Sequence, residues 1–501
     1  MTVPACEASS GPNLGALLEG YASIPSGLDR IVTAVCDDSR AVVPGAVFFA
    51  RRGLRVDGRR FATRAVACGA AAVVTGGAPA PVRLDGGAVV VTVPDVAGAL
   101  GHAASRFFAD PSEHLSVAAV TGTNGKTSVT HLTARACGEE RSAVMGTLGA
   151  GPLGRLEAVT LTTPGPLEIH RRLAAMRTAG IDMLAMEVSS HALDQRRIEG
   201  VRVDTAVFTN LSRDHLDYHP DMEGYARAKA SLFGVPDLAH AVINVDDRFG
   251  RELMGTIPAG IESVALTLAG ARLATATAPI VAGRIVEEQP GLSLHVATPW
   301  GSGTLDTRLL GRFNAHNLLA AVAVACLHGH GLDDVLRRLR GTEPLAGRMQ
   351  RLGGGSHPLV VVDYSHTPDA LRNALAALRP LCRGALWCVF GCGGERDRGK
   401  RPLMAEAAEQ GADRVVVTDD NPRGESGDAV VADIMEGFAR PDAVRVERDR
   451  ARAIHGAVTG AGAGDVVLVA GKGHETTQER DGVRLPFSDV ASARHALGVR
   501  G

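Results

Sequence analysis

The stretch Val117-Ala118-Ala119-Val120-Thr121-Gly122-Thr123-Asn124-Gly125-Lys126-Thr127-Ser128 gathers an apolar run, two glycines, a lysine and several hydroxyls. The pattern predicts a buried strand that turns into a helix beginning near Ser128. Such a turn can cradle phosphate. Gly122 and Gly125 let the backbone approach an anion, successive N–H groups and the helix N-terminus point at it, Lys126 adds a compact charge, and the Thr127 hydroxyl can ligate Mg²⁺. Val120 stands five positions before Gly125, where the usual phosphate-loop pattern has another glycine. Only the Gly-Lys-Thr end of that pattern is present, and an ordinary strand-to-helix turn carrying a lysine is the competing reading.

Other chemistry-bearing residues sit where strands end. The expected strand 183–188 carries Glu187 and runs straight into Ser189-Ser190-His191. In parallel α/β sheets ligands gather at such ends, so Glu187 suits a Mg²⁺ ligand, direct or through water, or else simply closes its strand. A second strand, 205–209, leads into Asn210-Leu211-Ser212-Arg213-Asp214-His215-Leu216-Asp217-Tyr218-His219, read as a polar loop converging on the same ion. The spacing of His215 and His219 is not read as zinc, because Pro220 and the residues between do not make a helix presenting two imidazoles and no cysteine completes a set. Lys229, on an expected helix 223–233, reads as a solvated lysine. Asp38-Ser39-Arg40 reads as a surface Asx turn. Asn317 is either the N-cap of a helix 318–328 or a nucleotide contact.

The elements that must position these residues divide the chain into three expected domains, 1–111, 112–344 and 345–501. Residues 17–108 alternate short apolar runs with Gly and Pro, as in a small α/β domain. Asp110-Pro111-Ser112 breaks the helical stretch 96–109, and Gly341 to Gly347, with Pro344 inside and Arg348 just beyond, forms a second linker. The last domain alternates strands at 359–362, 386–390, 414–417 and 466–469 with helices near 368–378, 401–410, 428–438 and 449–458. That alternation predicts a parallel, doubly wound sheet. Its strand-end loops should open on one rim: Asp363-Tyr364-Ser365-His366, residues 391–401, Asp419-Asp420-Asn421-Pro422-Arg423, and Gly471-Lys472-Gly473-His474-Glu475. No G-x-G-x-x-G follows the first strand, which disfavours a dinucleotide site. The rim mixes cations (Arg396, Arg423, Lys472) with anions (Asp397, Asp420, Glu475). That mixture suits a zwitterion such as an amino acid, and a purely structural ion-pair network is the alternative.

Composition narrows the classes further. A chain of 501 residues exceeds a single core. Its 53 Lys plus Arg nearly balance 55 Asp plus Glu, which argues against nucleic acid or a membrane surface as the main partner. The eight cysteines form no C-x-x-C pair and read as reduced, buried thiols of a cytosolic protein. Met1 to Glu7 lacks a basic region followed by an apolar core, so no export signal is read, and the longest strongly apolar run, 318–327, is too short for a membrane span. A soluble, cytoplasmic protein is expected.

Taken together, Thr121 to Thr127, Met186-Glu187-Val188-Ser189-Ser190-His191, Asn210 to His215, Gly311-Arg312-Phe313-Asn314 and the tetrad Asp420 to Arg423 resemble the bacterial Mur ligases, over 38–489. The resemblance implies a uridine-nucleotide domain, a central P-loop ATPase-like domain with a mostly parallel sheet, and a C-terminal Rossmann-like domain for the incoming amino acid. It implies that Ser39 touches the uridine nucleotide and that Thr162, Thr163, Ser189, Gln195 and Arg197 hold the muramoyl dipeptide. Gly122, Thr123, Asn124, Gly125, Lys126, Thr127 and Ser128 would bind ATP, with Asn317, Arg348 and Asp363 as further contacts. Thr127, Glu187 and His215 match magnesium positions, and Lys229 a lysine that is carbamylated in the family. A carbamate beside Mg²⁺ is physically sensible, since an ammonium would be repelled and a carbamate can ligate. Arg396, Asp420, Asn421, Pro422, Arg423, Gly471 and Glu475 match a diaminopimelate pocket, and Arg423 favours diaminopimelate over lysine, which has no distal carboxylate to hold. Leu161 and Gln350 depart from residues common in the family, an Asn and a Glu.

The implied reaction is ADP-forming amide synthesis, with ATP as co-substrate and Mg²⁺ as cofactor. Meso-diaminopimelate would be added to the D-glutamate γ-carboxylate of UDP-N-acetylmuramoyl-L-Ala-D-Glu through an acyl phosphate, by a monomer with only small-molecule partners. Lys126, Glu187, His215 and Lys229 would form its catalytic set. The rivals are addition of LL-diaminopimelate or L-lysine, a folylpolyglutamate-type ligase and, from another class, a P-loop kinase or NTPase, in which the Asp420–Arg423 tetrad and Glu475 would have no job.

Overall fold

A computed structural model describes residues 11–53, 56–269, 278–287 and 291–498. Cys6 and the Met1 to Glu7 segment lie outside them. The described residues pack into two compact units, one drawn from 1–119, 138–206 and 231–239 and the other from 120–137, 207–230 and 240–501.

The first unit contains a five-stranded sheet of β1 (Ala34–Cys36), β2 (Ala46–Ala50), β3 (Ala72–Gly76), β4 (Ala80–Asp85) and β5 (Ala88–Val93), ordered β1-β2-β3-β5-β4. All its pairings are parallel except β4 with β5. The helix Val96–Phe107 lays Ala99, Leu100 and Ala103 on Val47, Phe49, Val74 and Val91, one alternate face of those strands. Asp95 caps it and Asp110-Pro111 ends it, as the sequence predicts. The entering residue of β6 (Ser116–Thr121) donates its N–H to Asp182. Further on, β7 (Ser142–Gly146) pairs antiparallel with β8 (Gly149–Pro152) and parallel with β9 (Met183–Glu187).

In the second unit, the last residue of β6 accepts the N–H of Thr209, just past β10 (Thr205–Phe208). Parallel strands β11 (His240–Asn244), β12 (Glu262–Thr267) and β13 (Ile280–Glu287) are followed by antiparallel β14 (Ser293–Thr298) and β15 (Gly301–Asp306). The last sheet comprises β16 (Gln350–Gly353), β17 (Leu359–Asp363), β18 (Leu386–Phe390), β19 (Arg414–Val417), β20 (Arg445–Val446) and β21 (Val466–Ala470), ordered β16-β17-β21-β18-β19-β20. It is parallel apart from β16. Alternate residues feed opposite faces. Val361, Cys388, Phe390, Val417 and Leu468 meet the helices Pro368–Leu378, Lys400–Gly411 and Gly427–Met435, whereas Val360, Val389, Val416 and Val469 meet Arg450–Gly460 and Asp489–Ala496. Helices therefore cover both faces, as expected of a doubly wound sheet, and the C-terminal ends of β17, β18, β19 and β21 share one edge.

Sequence reasoning missed β16, β20, the helix Asp489–Ala496 and a hairpin of β22 (Thr477–Arg480) and β23 (Val483–Pro486). Among the described residues no helix is long and apolar enough to cross a membrane. Among the described residues the seven cysteines are free; five are buried, Cys382 is half-buried and Cys68 is exposed.

Candidate active site

The cradle is built by close approach. Gly122 has φ +143° and a Cβ there would stand 1.9 Å from Thr209 Oγ1; Gly125 has φ +90° and a Cβ would meet Asn317 Oδ1 at 2.7 Å. Both glycines are thus required for conformation and for space. The loop is pinned from beside it: Asn124 N–H donates to Asn210 Oδ1 at 2.9 Å, and Thr209 Oγ1 donates to Asn124 O at 2.6 Å. The helix begins at Lys126, two residues earlier than expected, so Lys126 and Thr127 occupy its first turn. Lys126 Nζ donates to the carbonyls of Gly122 and Thr123, both at 2.9 Å. Arg348 Nη2 donates to Thr127 Oγ1 at 3.0 Å while its guanidinium lies over the Tyr364 ring, 4.4 Å from the centroid.

Two readings are corrected here. Lys229 is not solvated: it is 1% exposed, and its Nζ donates to Gly122 O at 2.8 Å. Burial first, and Lys126 second, push its ammonium well below the usual lysine value against a weaker opposing pull from Asp214, which favours the neutral amine. Asn317 is not an N-cap, because the helix runs Arg312–Leu327 and Asn317 lies inside it, its Nδ2 donating to Asn314 Oδ1 at 3.0 Å. Its carbonyl oxygen faces the Gly125 turn, which agrees with a place at the cradle. Asp363 is largely committed to the protein: it accepts the Met349 N–H at 2.7 Å and the Ser365 hydroxyl.

His215, at φ +56°, lies in a turn rather than a helix. Asp214 beside it is buried and stands 3.4 Å from Nε2 of both His215 and His366 and 3.0 Å from Lys400 Nζ. Burial alone would raise this carboxyl, but Lys400 and the two imidazoles outweigh it and hold it well below the usual range.

On the rim, Glu475 Oε2 accepts from Asn421 Nδ2 at 2.9 Å and from Lys472 Nζ at 2.8 Å, and Lys472 also donates to Asn421 Oδ1 at 2.9 Å. Gly471, at φ +117°, lets Asp420 approach: a Cβ would lie 2.6 Å from Asp420 Oδ2. Arg423, at φ +55°, donates from Nη1 to Gly394 O at 2.9 Å and to Asn421 O at 3.3 Å. Pro422 O closes over Gly394, with no room for a side chain there. The β22–β23 hairpin grips the tetrad from outside: Glu479 N–H bonds Asn421 Oδ1 at 3.0 Å, Gln478 Nε2 bonds Asp420 O at 2.7 Å, and Arg423 N–H bonds Glu479 O at 3.0 Å. Asp481-Gly482 between the two strands was the available signal for this hairpin. Asp397, expected to face a ligand ammonium, instead chelates Arg213. The rim is therefore, at Asp397, a structural ion-pair network.

The first unit holds the remaining residues. Glu187 is buried, with Oε1 accepting the Thr147 N–H at 2.7 Å and Oε2 the Thr147 hydroxyl at 3.1 Å, and Thr147 is 3.1 Å from the Thr162 hydroxyl. Thr163 donates to Glu187 O at 2.9 Å and accepts the Ser189 N–H at 3.1 Å. Arg197 donates to Thr163 O at 2.8 Å and to Gln195 Oε1 at 2.7 Å. Thr162, Thr163, Ser189, Gln195 and Arg197 thus form one hydrogen-bonded group. Ser39 is buried in the turn after β1, where Asp38 Oδ1 accepts the Arg40 N–H at 2.9 Å as in an Asx turn.

Thr127 in the second unit and Glu187 in the first each offer an oxygen of the kind magnesium takes. Among the described residues no three His, Cys, Asp or Glu cluster into a cage, and Mg²⁺ is ordinarily held by one or two carboxylates plus phosphate oxygens and water. In the second unit Thr127 Oγ1 accepts from Arg348 Nη2; in the first, the Glu187 carboxylate is given its room by Gly146, where a Cβ would stand 2.2 Å from Oε1.

Comparison with known proteins agrees along the whole chain. Residues 32–108 match the Mur ligase family, catalytic domain; 120–325 the Mur ligase middle domain; and 347–473 the Mur ligase, glutamate ligase domain. The UDP-N-acetylmuramoyl-L-alanyl-D-glutamate--2,6-diaminopimelate ligase of Alkalilimnicola ehrlichii is 48% identical over 97% of this chain and 98% of its own. The enzyme of the same name from Pseudomonas aeruginosa is 49% identical over 94% and 96%. A solved structure under that name is 35% identical, with a TM-score of 0.69 over 98% of this chain and 99% of that one.

Proposed function

The chain belongs to the Mur ligase family, and from that premise we propose that it is an ADP-forming amide ligase joining meso-diaminopimelate to the D-glutamate γ-carboxylate of UDP-N-acetylmuramoyl-L-alanyl-D-glutamate. The near-full-length relatives support this reaction by name. The observation that carries the amino-acid half is the rim. Asp420, Asn421 and Arg423 follow β19 and Glu475 follows β21, with Asn421 bonded to Glu475 at 2.9 Å across 54 residues of chain. A zwitterion with a second carboxylate can use both signs there, with Arg423 for a carboxylate and Asp420 or Glu475 for an ammonium. A phosphotransferase acting on a hydroxyl or water has no use for it.

A carboxylate cannot expel oxide, so ATP first converts it to an acyl phosphate, which an unprotonated amine then attacks. The cradle's N–H groups and Lys126 offset charge on the transferring phosphoryl group, and the hydrogen bonds of Lys126 to loop carbonyls hold its ammonium there. Asn317 and Arg348 are assigned to the nucleotide, and the group around Thr163, Arg197 and Ser189 to the dipeptide. Thr127 and His215 would hold Mg²⁺, which would supply further neutralisation of phosphate charge, and Glu187 is assigned to it by the family resemblance alone. Lys229 is assigned as a carbamate. Its burial and its neighbour Lys126 disfavour the ammonium, and only a neutral amine can attack CO₂.

One assay tests the proposal: amide formation and ADP release with the UDP-dipeptide and ATP, supplied in turn with meso-diaminopimelate, LL-diaminopimelate and L-lysine. Release of ADP that requires the dipeptide and meso-diaminopimelate together is expected. AMP as product, or ADP release indifferent to the amino acid, would sink it.

A further inference from the structure

Two loops that serve different substrates are tied together by charge. From the cradle side, Arg213 Nε and Nη2 donate to the two oxygens of Asp397 at 2.9 and 3.0 Å. One residue on, Asp214 accepts from Lys400 Nζ at 3.0 Å, and Asp217 stands 3.8 Å from Arg396. The residues at 213, 214 and 217 thus face those at 397, 400 and 396 with opposite sign throughout. The first loop presents His215, and the second presents Arg396.

The two inner pairs are buried on at least one side: the side chains of Asp397, Lys400 and Asp214 are 5%, 7% and 6% exposed. The Arg396–Asp217 pair, 49% and 23% exposed and longer, contributes little. Gly399 marks the strap as built. Its φ of −67° and ψ of −14° suit any residue, yet a Cβ there would stand 2.2 Å from Arg213 Nη2. The glycine therefore supplies space for the guanidinium, not backbone freedom. Asp397 also accepts the Gly399 N–H at 3.0 Å, so its carboxylate fixes the turn that receives Arg213.

We propose that Arg213, Asp214, Asp397 and Lys400 are positioning residues that couple the amino-acid pocket to the nucleotide site, so that the loop bearing Arg396 is held for the amino acid by the loop bearing His215. The inference rests on the ligase reading above. A contact of this kind makes the binding of each substrate sensitive to the state of the other's loop.

The test uses the full-length enzyme and the variants Gly399→Ala, Arg213→Met, Asp397→Asn and Arg213→Met with Asp397→Asn. Gly399→Ala removes no charge and keeps an ordinary backbone, so it serves if the charge variants fold poorly. The expected result is a KM for diaminopimelate raised about tenfold in each single variant, a KM for ATP within about twofold of the parent's, and a double variant no worse than either single, as for partners in one interaction. An unchanged KM for diaminopimelate in Gly399→Ala and Arg213→Met, an equal loss for all substrates, or additive losses in the double variant would overturn it. If the parent itself shows no amino-acid-dependent ADP release, the ligase reading fails instead, and the two failures are told apart by that control.

Discussion

The cradle and the rim lie in the same compact unit and are built by different means. The cradle is mostly backbone: two glycines, the first turn of one helix, and a lysine folded onto carbonyls three and four residues before it. The rim is mostly side chains from strand ends far apart in sequence, and its shape depends on charges buried behind it. Arg401, fully buried, donates to both oxygens of Glu425 at 2.7 Å, to Asp433 at 2.8 Å and to Gly393 O at 3.2 Å. It thereby braces the loop of Arg396 against the loop of Arg423. A phosphate needs donors at one point, which a turn supplies locally; a dicarboxylic diamine needs opposite charges at several points, which only long-range packing can hold apart.

That contrast predicts separable damage. The largest effect should come from Lys126→Ala, which removes the cradle's charge without opening the fold. ADP formation should fall on the order of a thousandfold with every amino acid tried, while the thermal midpoint stays near the parent's. A loss confined to one amino acid would break the comparison. Arg401→Met should do the reverse, leaving Glu425 and Asp433 without their shared cation and costing about 3 kcal/mol of stability in denaturant titration. Its residual activity should lose selectivity between diaminopimelate and lysine before it loses ATP affinity. Third is Arg423→Ala, with kcat/KM for diaminopimelate down roughly a hundredfold and that for lysine little changed, since lysine offers the guanidinium no distal carboxylate.

The same contrast explains what was legible in the sequence. The strand, the glycines and Lys126 are neighbours in the chain, so the cradle could be read directly, to within two residues at the helix start. The alternation in the last domain gave its parallel sheet for a similar reason, because each strand and helix carries its own period. Long-range partners were invisible. Lys229 looked like a surface lysine because Gly122 O lies 107 residues away, and Asp397 looked available to a ligand because Arg213 lies 184 residues away. Asn317 was misplaced for a local reason: Arg312, Asn314, His316 and Asn317 break the apolar run and resemble a loop, although Gly311 at φ +85° already starts the helix there. The polar turn faces the cradle, so apolar periodicity registers only the part of the helix beyond it. A role for Lys229 came only from the family resemblance, whereas the charges of the Asp420–Arg423 loop were already legible at a strand end.

The smallest expected effect falls on both regions alike and marks where the comparison ends. His131 lies on the cradle helix and His474 in the rim loop after β21. Each imidazole is pushed down to about 4, by burial first and then by Arg348, with Lys472 adding to His474. A depressed folded value means that the unfolded chain binds more protons between about pH 6.5 and 4, so stability falls as pH drops through that window and levels off below it. His131→Gln and His474→Gln should each flatten the slope of unfolding free energy against pH there by up to about one proton, leaving the neutral-pH side unchanged in slope. Arg348 carries a fixed charge and lowers each imidazole separately, so the two changes together should give the sum of the singles. Denaturant titrations at half-unit pH steps would measure that sum, and a steeper loss on either variant would show the imidazole to be charged in the folded protein.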